Sequence, residues 1–297
     1  MKYRVLIYGI GEQYNRNFNI VKYYELKEQF SVVGITAKWT PDCESLDGYR
    51  IIKLNELQKI RYDYIVVMSD IYFDEIVSEL TSRGIDRSCL IPYRVLQIPN
   101  LDFNMYIDLK NSNISIISNN CWGGVICRTL GIECLSPFKN LSLEDDDYIK
   151  LLNNFRYYMK CEMSFLHYAY NQNSKKNYPI MLLDDVKVHC NHDMNPKDAM
   201  EKWNRRREKI NYNNLFVEMY TESKLIMNEF IKLKEYEKKL CFVPFETDEK
   251  NTYQLSLYPG QSQFWETVNS NAGNGPNSIE YNYLNLLLGT NAERRQY

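Results

Sequence analysis

The chain has 297 residues, of which 25 % are charged, and a formal net charge of −2. That length gives room for two domains, each able to bury a core of its own. The near cancellation of charge leaves no general attraction to nucleic acid or to an anionic membrane surface, and no run of about 18 uncharged apolar residues is present to span a bilayer.

The amino terminus, MKYRVLIYGIGEQ, passes from a short apolar segment into Gly and Glu rather than into a small-residue cleavage site. The expectation is a soluble, cytoplasmic protein without membrane insertion. Cys43, Cys89, Cys121, Cys127, Cys134, Cys161, Cys190 and Cys241 include no C-x-x-C pair, so neither a disulfide framework nor a zinc ribbon is expected. Most should be small apolar side chains in a core.

Residues 3–9 (YRVLIYG) read as a strand that ends in Gly9-Ile10-Gly11, followed by a helix over about Gln13 to Gln29. A second strand covers Ser31 to Thr36 and a third Tyr64 to Ser69; an amphipathic helix from Tyr72 to Arg83 stops at Gly84, and Cys89 to Pro92 forms a fourth short strand. Strands that alternate with helices predict a parallel, Rossmann-like sheet, because parallel neighbours need crossover connections.

Gly9 and Gly11 would place a helix N-terminus where a nucleotide or sugar nucleotide could bind. NAD is disfavoured: Tyr14 stands at the third glycine position of the dinucleotide fingerprint, and Ala37 and Lys38 follow the second strand where an acid would hold the ribose. The segments VLIYGIGEQ, DGYRIIKLNEL and YDYIVVMSD together resemble the amino-terminal domain of bacterial sugar O- and N-acetyltransferases of the sialic-acid and bacillosamine type. The resemblance implies a sugar-nucleotide context.

Gln97 to Asn100 breaks the pattern and sets a boundary between residues 1–98 and 99–297. Leu101 to Lys110 predicts a connecting helix. Strands are then expected at Ile114 to Ser118, Ile180 to Leu183, Val186 to His189, Leu215 to Met219 and Cys241 to Phe245. Ser142-Leu143-Glu144-Asp145 has the form of a capping box ahead of an apolar face running from Tyr148 to Met159. Asn195-Pro196-Lys197-Asp198 reads as a cap followed by a helix bearing Trp203 and Arg205-Arg206-Arg207. Glu222 to Lys239 is a further amphipathic candidate. Asp184-Asp185 alone separates two strands, which suits a hairpin and so a mixed sheet in a second α/β domain. From Asn251 a long loop, a short helix near Tyr283 to Leu288 and a frayed end are expected.

Candidate chemistry centres on SNNCWGG, residues 118–124, between a strand and a helix. Cys121 at a helix start could be an activated thiol with His189 as its base. Alternatively Ser118, Asn119, Asn120, Trp122, Gly123 and Gly124 form a ligand-binding turn beyond a strand end, where α/β sheets hold their ligands. The third reading is structural, with an asparagine as cap and the glycines allowing close backbone approach. Asp185 could act as a general base or simply turn a hairpin. Of the three arginines, one or two, Arg206 among them, could meet a phosphate or carboxylate while the rest are solvated. His189-Cys190-Asn191-His192-Asp193 lacks the further ligands a zinc site requires, so no metal is expected. His167, among aromatic residues, reads as structural.

The blocks SIISNNCWGGVICRTLGIECLSPFKNL, YPIMLLDDVKVHCNHD, AMEKWNRRREKINYNNLFVEM and KKLCFVPF, in that order over residues 100–246, resemble a bacterial family catalogued as a domain of unknown function, number 1919. Its members carry labels such as exopolysaccharide biosynthesis protein or acetyltransferase. The resemblance implies a bacterial protein of surface-polysaccharide synthesis; together with the polar cluster at the strand end it gives the expectation of a transferase acting on a sugar nucleotide or glycan precursor, with acetyl coenzyme A as donor if the acetyltransferase label holds. A non-catalytic carbohydrate- or nucleotide-binding protein of that pathway is the alternative, and a Cys-His hydrolase or acyltransferase a further one. A small-molecule or glycan partner is expected; the oligomeric state is not legible.

Overall fold

The computed structural model describes residues 2–98, 100–172, 174–255 and 282–288. The first unit is a four-stranded parallel sheet in the order β2-β1-β5-β6, formed by β1 (Tyr3–Tyr8), β2 (Phe30–Thr36), β5 (Tyr64–Val67) and β6 (Leu90–Pro92). Two minor strands, β3 (Ser45–Leu46) and β4 (Tyr49–Arg50), pair beside it. Helix α1 (Glu12–Leu26) buries Tyr14, Phe18, Val21 and Tyr24, spaced three or four apart along one face. Helix α2 (Phe73–Ser82) buries Val77 and Leu80.

Tyr14 does not crowd the first turn as the failed fingerprint would suggest. Its ring is in the core, stacked on Phe18 at 4.3 Å between centroids, and its hydroxyl donates to Asp47 Oδ2 at 2.7 Å. Gly9, at φ +105°, supplies the left-handed backbone needed to leave β1.

Helix α3 (Phe103–Asn111), capped by Asp102, joins the units. Its Phe103 packs edge-on against Tyr3 and Phe30, and Tyr106 donates to the carbonyl of Leu130 at 2.7 Å. One buried apolar cluster consequently runs from Val5 and Ile7 of the first sheet to Phe216 and Phe242 of the second.

The second unit contains both strand senses, in two sheets. A four-stranded parallel sheet has the order β13-β12-β11-β7, with β7 (Ser115–Ser118), β11 (Leu215–Tyr220), β12 (Lys239–Val243) and β13 (Thr252–Gln254). A three-stranded antiparallel sheet consists of β8 (Met163–Asn171), β9 (Lys176–Leu183) and β10 (Val186–His189). Asp184, at φ +55°, turns the expected hairpin between β9 and β10. β13 lies where a loop was expected. β8 escapes sequence reading because its middle is exposed and carries no half-buried alternation.

Helix α4 (Trp122–Thr129) follows β7, and the stretch expected as one helix from Tyr148 to Met159 is divided at Asn154 into α5 (Asp145–Asn153) and α6 (Phe155–Tyr158). The capping box does not form. Glu144 is the cap without a side-chain hydrogen bond, while Ser142 is drawn into a backbone bridge with His189. Asn195 does cap α7 (Pro196–Arg207), accepting from Asp198 N. Helix α8 (Lys224–Lys232) makes the crossover from β11 to β12, and α9 (Tyr283–Leu287) is the short helix expected near the end. The remainder of the expected terminal loop and end lies outside the described residues. Among the described residues, no helix is long and apolar enough to cross a membrane.

Candidate functional site

The turn after β7 is built by close packing. A Cβ on Gly123 would lie 2.7 Å from Ser118 Oγ and 2.9 Å from Ile116 Cγ2, so only glycine lets α4 settle this tightly on its own strand. Trp122 is fully buried, 5.5 Å from Phe242 and 6.1 Å from Phe216 between ring centroids. Cys121 occupies the cap position but makes no side-chain cap hydrogen bond. Asn120 does that work instead, its Oδ1 accepting from Trp122 N at 2.8 Å.

The two asparagines form a relay across the carboxyl ends of β7 and β11. Asn120 Nδ2 donates to Asn119 Oδ1 at 2.8 Å and to Glu218 Oε1 at 3.1 Å. Asn119 Oδ1 also accepts from Tyr220 N at 3.1 Å, while its Nδ2 donates to Tyr220 O at 3.1 Å and approaches Asp145 Oδ1 at 3.4 Å. Ser118 and Asn119 are buried, so both leave ligand contact to their neighbours, and Asn119 holds the strand ends together. Glu218 is opposite Ser118 in the sheet register and is fully buried. Burial pushes its carboxyl up to about 8, against the lowering effect of the Asn120 hydrogen bond. It is therefore mostly neutral at pH 7.

Cys121 meets His192, with Sγ 3.6 Å from Nε2. The sequence expectation paired this thiol with His189, but that imidazole is engaged elsewhere: Nδ1 is 3.2 Å from the Tyr178 hydroxyl and Nε2 is 3.9 Å from Glu144. The strand β10 holds His189, whereas the chain bend after it brings His192 to the sulfur. Burial, with a smaller contribution from Glu218, raises the Cys121 pKa. The resting thiol is protonated at neutral pH, so the activation expected from a helix start is offset by its surroundings.

Asp185 sits in the exposed β9–β10 hairpin, where it accepts from Tyr158 at 2.7 Å and Lys150 at 3.2 Å. The tyrosine hydrogen bond, then the lysine, hold it below the ordinary carboxylate range. Its partners are those of a turn clamp, separate from the asparagine relay. Arg206 is also elsewhere, donating to the carbonyl of Lys139 at 2.9 Å, and Gly9 and Gly11 belong to the first unit.

Beyond the end of β11 lies an opening of about 450 Å³, lined by Glu144, Asp145, Tyr220, Thr221, Glu222 and Ser223. Thr221 Oγ1 donates to Asp145 Oδ2 at 2.5 Å, and the Tyr220 hydroxyl donates to Glu222 at 3.1 Å. Burial raises the Asp145 pKa, with the Thr221 hydrogen bond opposing it. A half-buried carboxylate fixed in this way can accept hydrogen bonds from ligand hydroxyls and take up a proton.

Fold and site define a two-unit α/β protein with a polar crevice past the carboxyl ends of its second parallel sheet. The chain belongs to the family described as Domain of unknown function (DUF1919), whose model matches residues 92–287. Residues 1–91 match a model described as C2185-like, N-terminal. An uncharacterized protein of Haemophilus influenzae is 28 % identical over 172 residues, which cover 56 % of this chain and 80 % of that protein.

Sequence reasoning missed Glu218, Asp145, Thr221 and the role of His192. Glu218 carried a usable signal, since an acid inside the apolar run Leu215-Phe216-Val217-Glu218-Met219 must be buried on one face of a strand. The other three depend on loops that only the fold brings together.

Proposed function

We propose that the protein is a transferase of bacterial surface-polysaccharide synthesis, acting on a sugar nucleotide or glycan precursor at the opening beside Asp145. The single observation that carries this reading is the Asp145–Thr221 pair, held by the Asn119–Asn120 relay at a strand-end opening. In this role Asp145 accepts the proton of an attacking sugar hydroxyl, and its raised pKa makes it a stronger base than an exposed aspartate. Tyr220 and Glu222 would accept or donate hydrogen bonds to neighbouring hydroxyls. Calorimetric titration with sugar nucleotides, acetyl coenzyme A and free oligosaccharides tests the reading. Binding of a sugar-bearing compound that disappears in Asp145→Asn supports it; unchanged binding in that variant refutes it.

The 3.6 Å contact between Cys121 and His192 favours a second reading, acyl transfer through the thiol. The raised Cys121 pKa makes it the weaker of the two. Full activity in Cys121→Ala would remove the covalent step.

A further inference from the structure

A cleft of about 950 Å³ between the two units exceeds the strand-end crevice of about 450 Å³. One wall comes from the first unit, at the carboxyl ends of β5 and β6 and along α2; the other comes from the loop after α4 and the last turn of α7. In a chain of net charge −2, seven cationic and three acidic side chains line this cleft.

Three of the cations are committed within the protein. Arg94 pairs with Asp70 at 2.6 Å, Lys209 with Glu133 at 2.6 Å, and Arg206 donates to the Lys139 carbonyl. The other four, Arg87, Arg128, Lys139 and Arg205, make no side-chain hydrogen bond or ion pair among the described residues. Both units contribute to this set. The capping preference of cations for helix C-termini accounts for arginines at the end of α7, but not for their division. Arg207 turns away to the carbonyls of Cys161 (2.7 Å) and Met159 (3.5 Å), while Arg205 and Arg206 face the cleft. With Asp70 and Glu133 already paired, Asp74 remains in the lining against four uncommitted cations; such an excess of like charge is self-repelling, and a multiply charged anion relieves that repulsion.

We propose that this cleft binds a diphosphate-bearing small molecule, with Arg87, Arg128, Lys139 and Arg205 as phosphate contacts. A cavity this size accommodates a nucleoside diphosphate, and the position beyond the carboxyl ends of β5 and β6 is where an open α/β sheet receives such a ligand. The proposal deepens the sugar-nucleotide reading but stands on different residues. The strand-end crevice and this cleft share no lining residue.

Cys134 provides a reporter within the cleft. Its pKa is lowered by the interaction with Cys127, against the opposing effect of burial, and further by Lys139 and Arg206, and the rate at which it alkylates reports whether the cleft is filled.

The test uses the full chain and calorimetric titration with inorganic pyrophosphate, UDP, orthophosphate and a single-stranded oligonucleotide. Pyrophosphate and UDP should bind, orthophosphate at least about tenfold more weakly, because a second charged group adds further charge-assisted contacts. The double variant R128S/R205S should weaken diphosphate binding at least about tenfold, while exposed Lys59→Ser changes it less than about twofold. Diphosphate should also slow alkylation of Cys134. Absence of pyrophosphate binding, equal binding by the folded double variant, or a preference for the oligonucleotide would each overturn the proposal. None of these results bears on Asp145, whose own variant decides the transferase reading.

Discussion

Glu218 makes stability depend on pH in a direction opposite to that of most carboxylates. Its folded pKa of about 8 lies above the ordinary glutamate value of 4.5. Between those values the native state keeps a proton that the unfolded chain releases, so raising the pH favours unfolding by about 1.4 kcal/mol per unit. The contribution is absent below the unfolded pKa, grows through the neutral range and levels off above the folded one, at a ceiling on the order of 5 kcal/mol. Glu218→Gln removes the titration while its Oε1 can still accept from Asn120 Nδ2. In urea unfolding followed by tryptophan fluorescence at pH 5, 6, 7 and 8, the variant should gain on the wild type at each step by roughly 1.4 kcal/mol. At pH 5 the two should be close. Parallel stability profiles across this range would show that Glu218 is ionised in the native protein and would refute the reasoning.

Three further outcomes follow from the same packing. Gly123→Ala forces a Cβ to within 2.7 Å of Ser118 Oγ and 2.9 Å of Ile116 Cγ2, and should destabilise by about 1–3 kcal/mol in thermal or urea unfolding. Gly124→Ala, whose Cβ would meet the flexible Lys139 Cγ at 3.2 Å, should cost less. Asn120→Ala removes the helix cap on Trp122 N and the bond to Glu218; a loss of about 2 kcal/mol is expected, measurable as a lower urea midpoint. Iodoacetamide should modify Cys121 slowly at pH 7, because burial and Glu218 keep the thiol protonated. Glu218→Gln should accelerate that reaction at pH 8–9, where the wild-type carboxylate is charged, as quantified by peptide mass spectrometry.

Much of the fold was legible because the signals were local. The β1–α1 turn, the strands rich in Val and Ile, the Asn195 cap and the Asp184-Asp185 hairpin each rest on a few adjacent residues whose physics is not overridden by packing. The Ser142 box failed for the opposite reason: its backbone was claimed by His189, which lies 47 positions away by the numbering of the bridge. β13 is a three-residue edge strand, too short to carry a pattern. At the site, residues 118–124 were correctly placed at a strand-to-helix turn, yet Ser118 proved to be buried and Asn119 a buried member of a hydrogen-bond relay. The choice between His189 and His192 depended on where a loop turns after β10, which no spacing rule specifies. The cationic cleft was invisible to composition because net charge averages over the whole surface, while Arg87, Arg128 and Arg205 are brought together only by packing of the two units.

The transferase reading turns most directly on Asp145. Replacing it by asparagine in the native strain keeps the side chain's shape and its hydrogen-bonding reach to Thr221 while removing the base. The account predicts a folded protein, verified by an unfolding free energy within about 1 kcal/mol of the wild type, and surface polysaccharide reduced to the level of a strain lacking the gene. A folded Asp145→Asn protein that supports wild-type amounts and composition of that polysaccharide would contradict it.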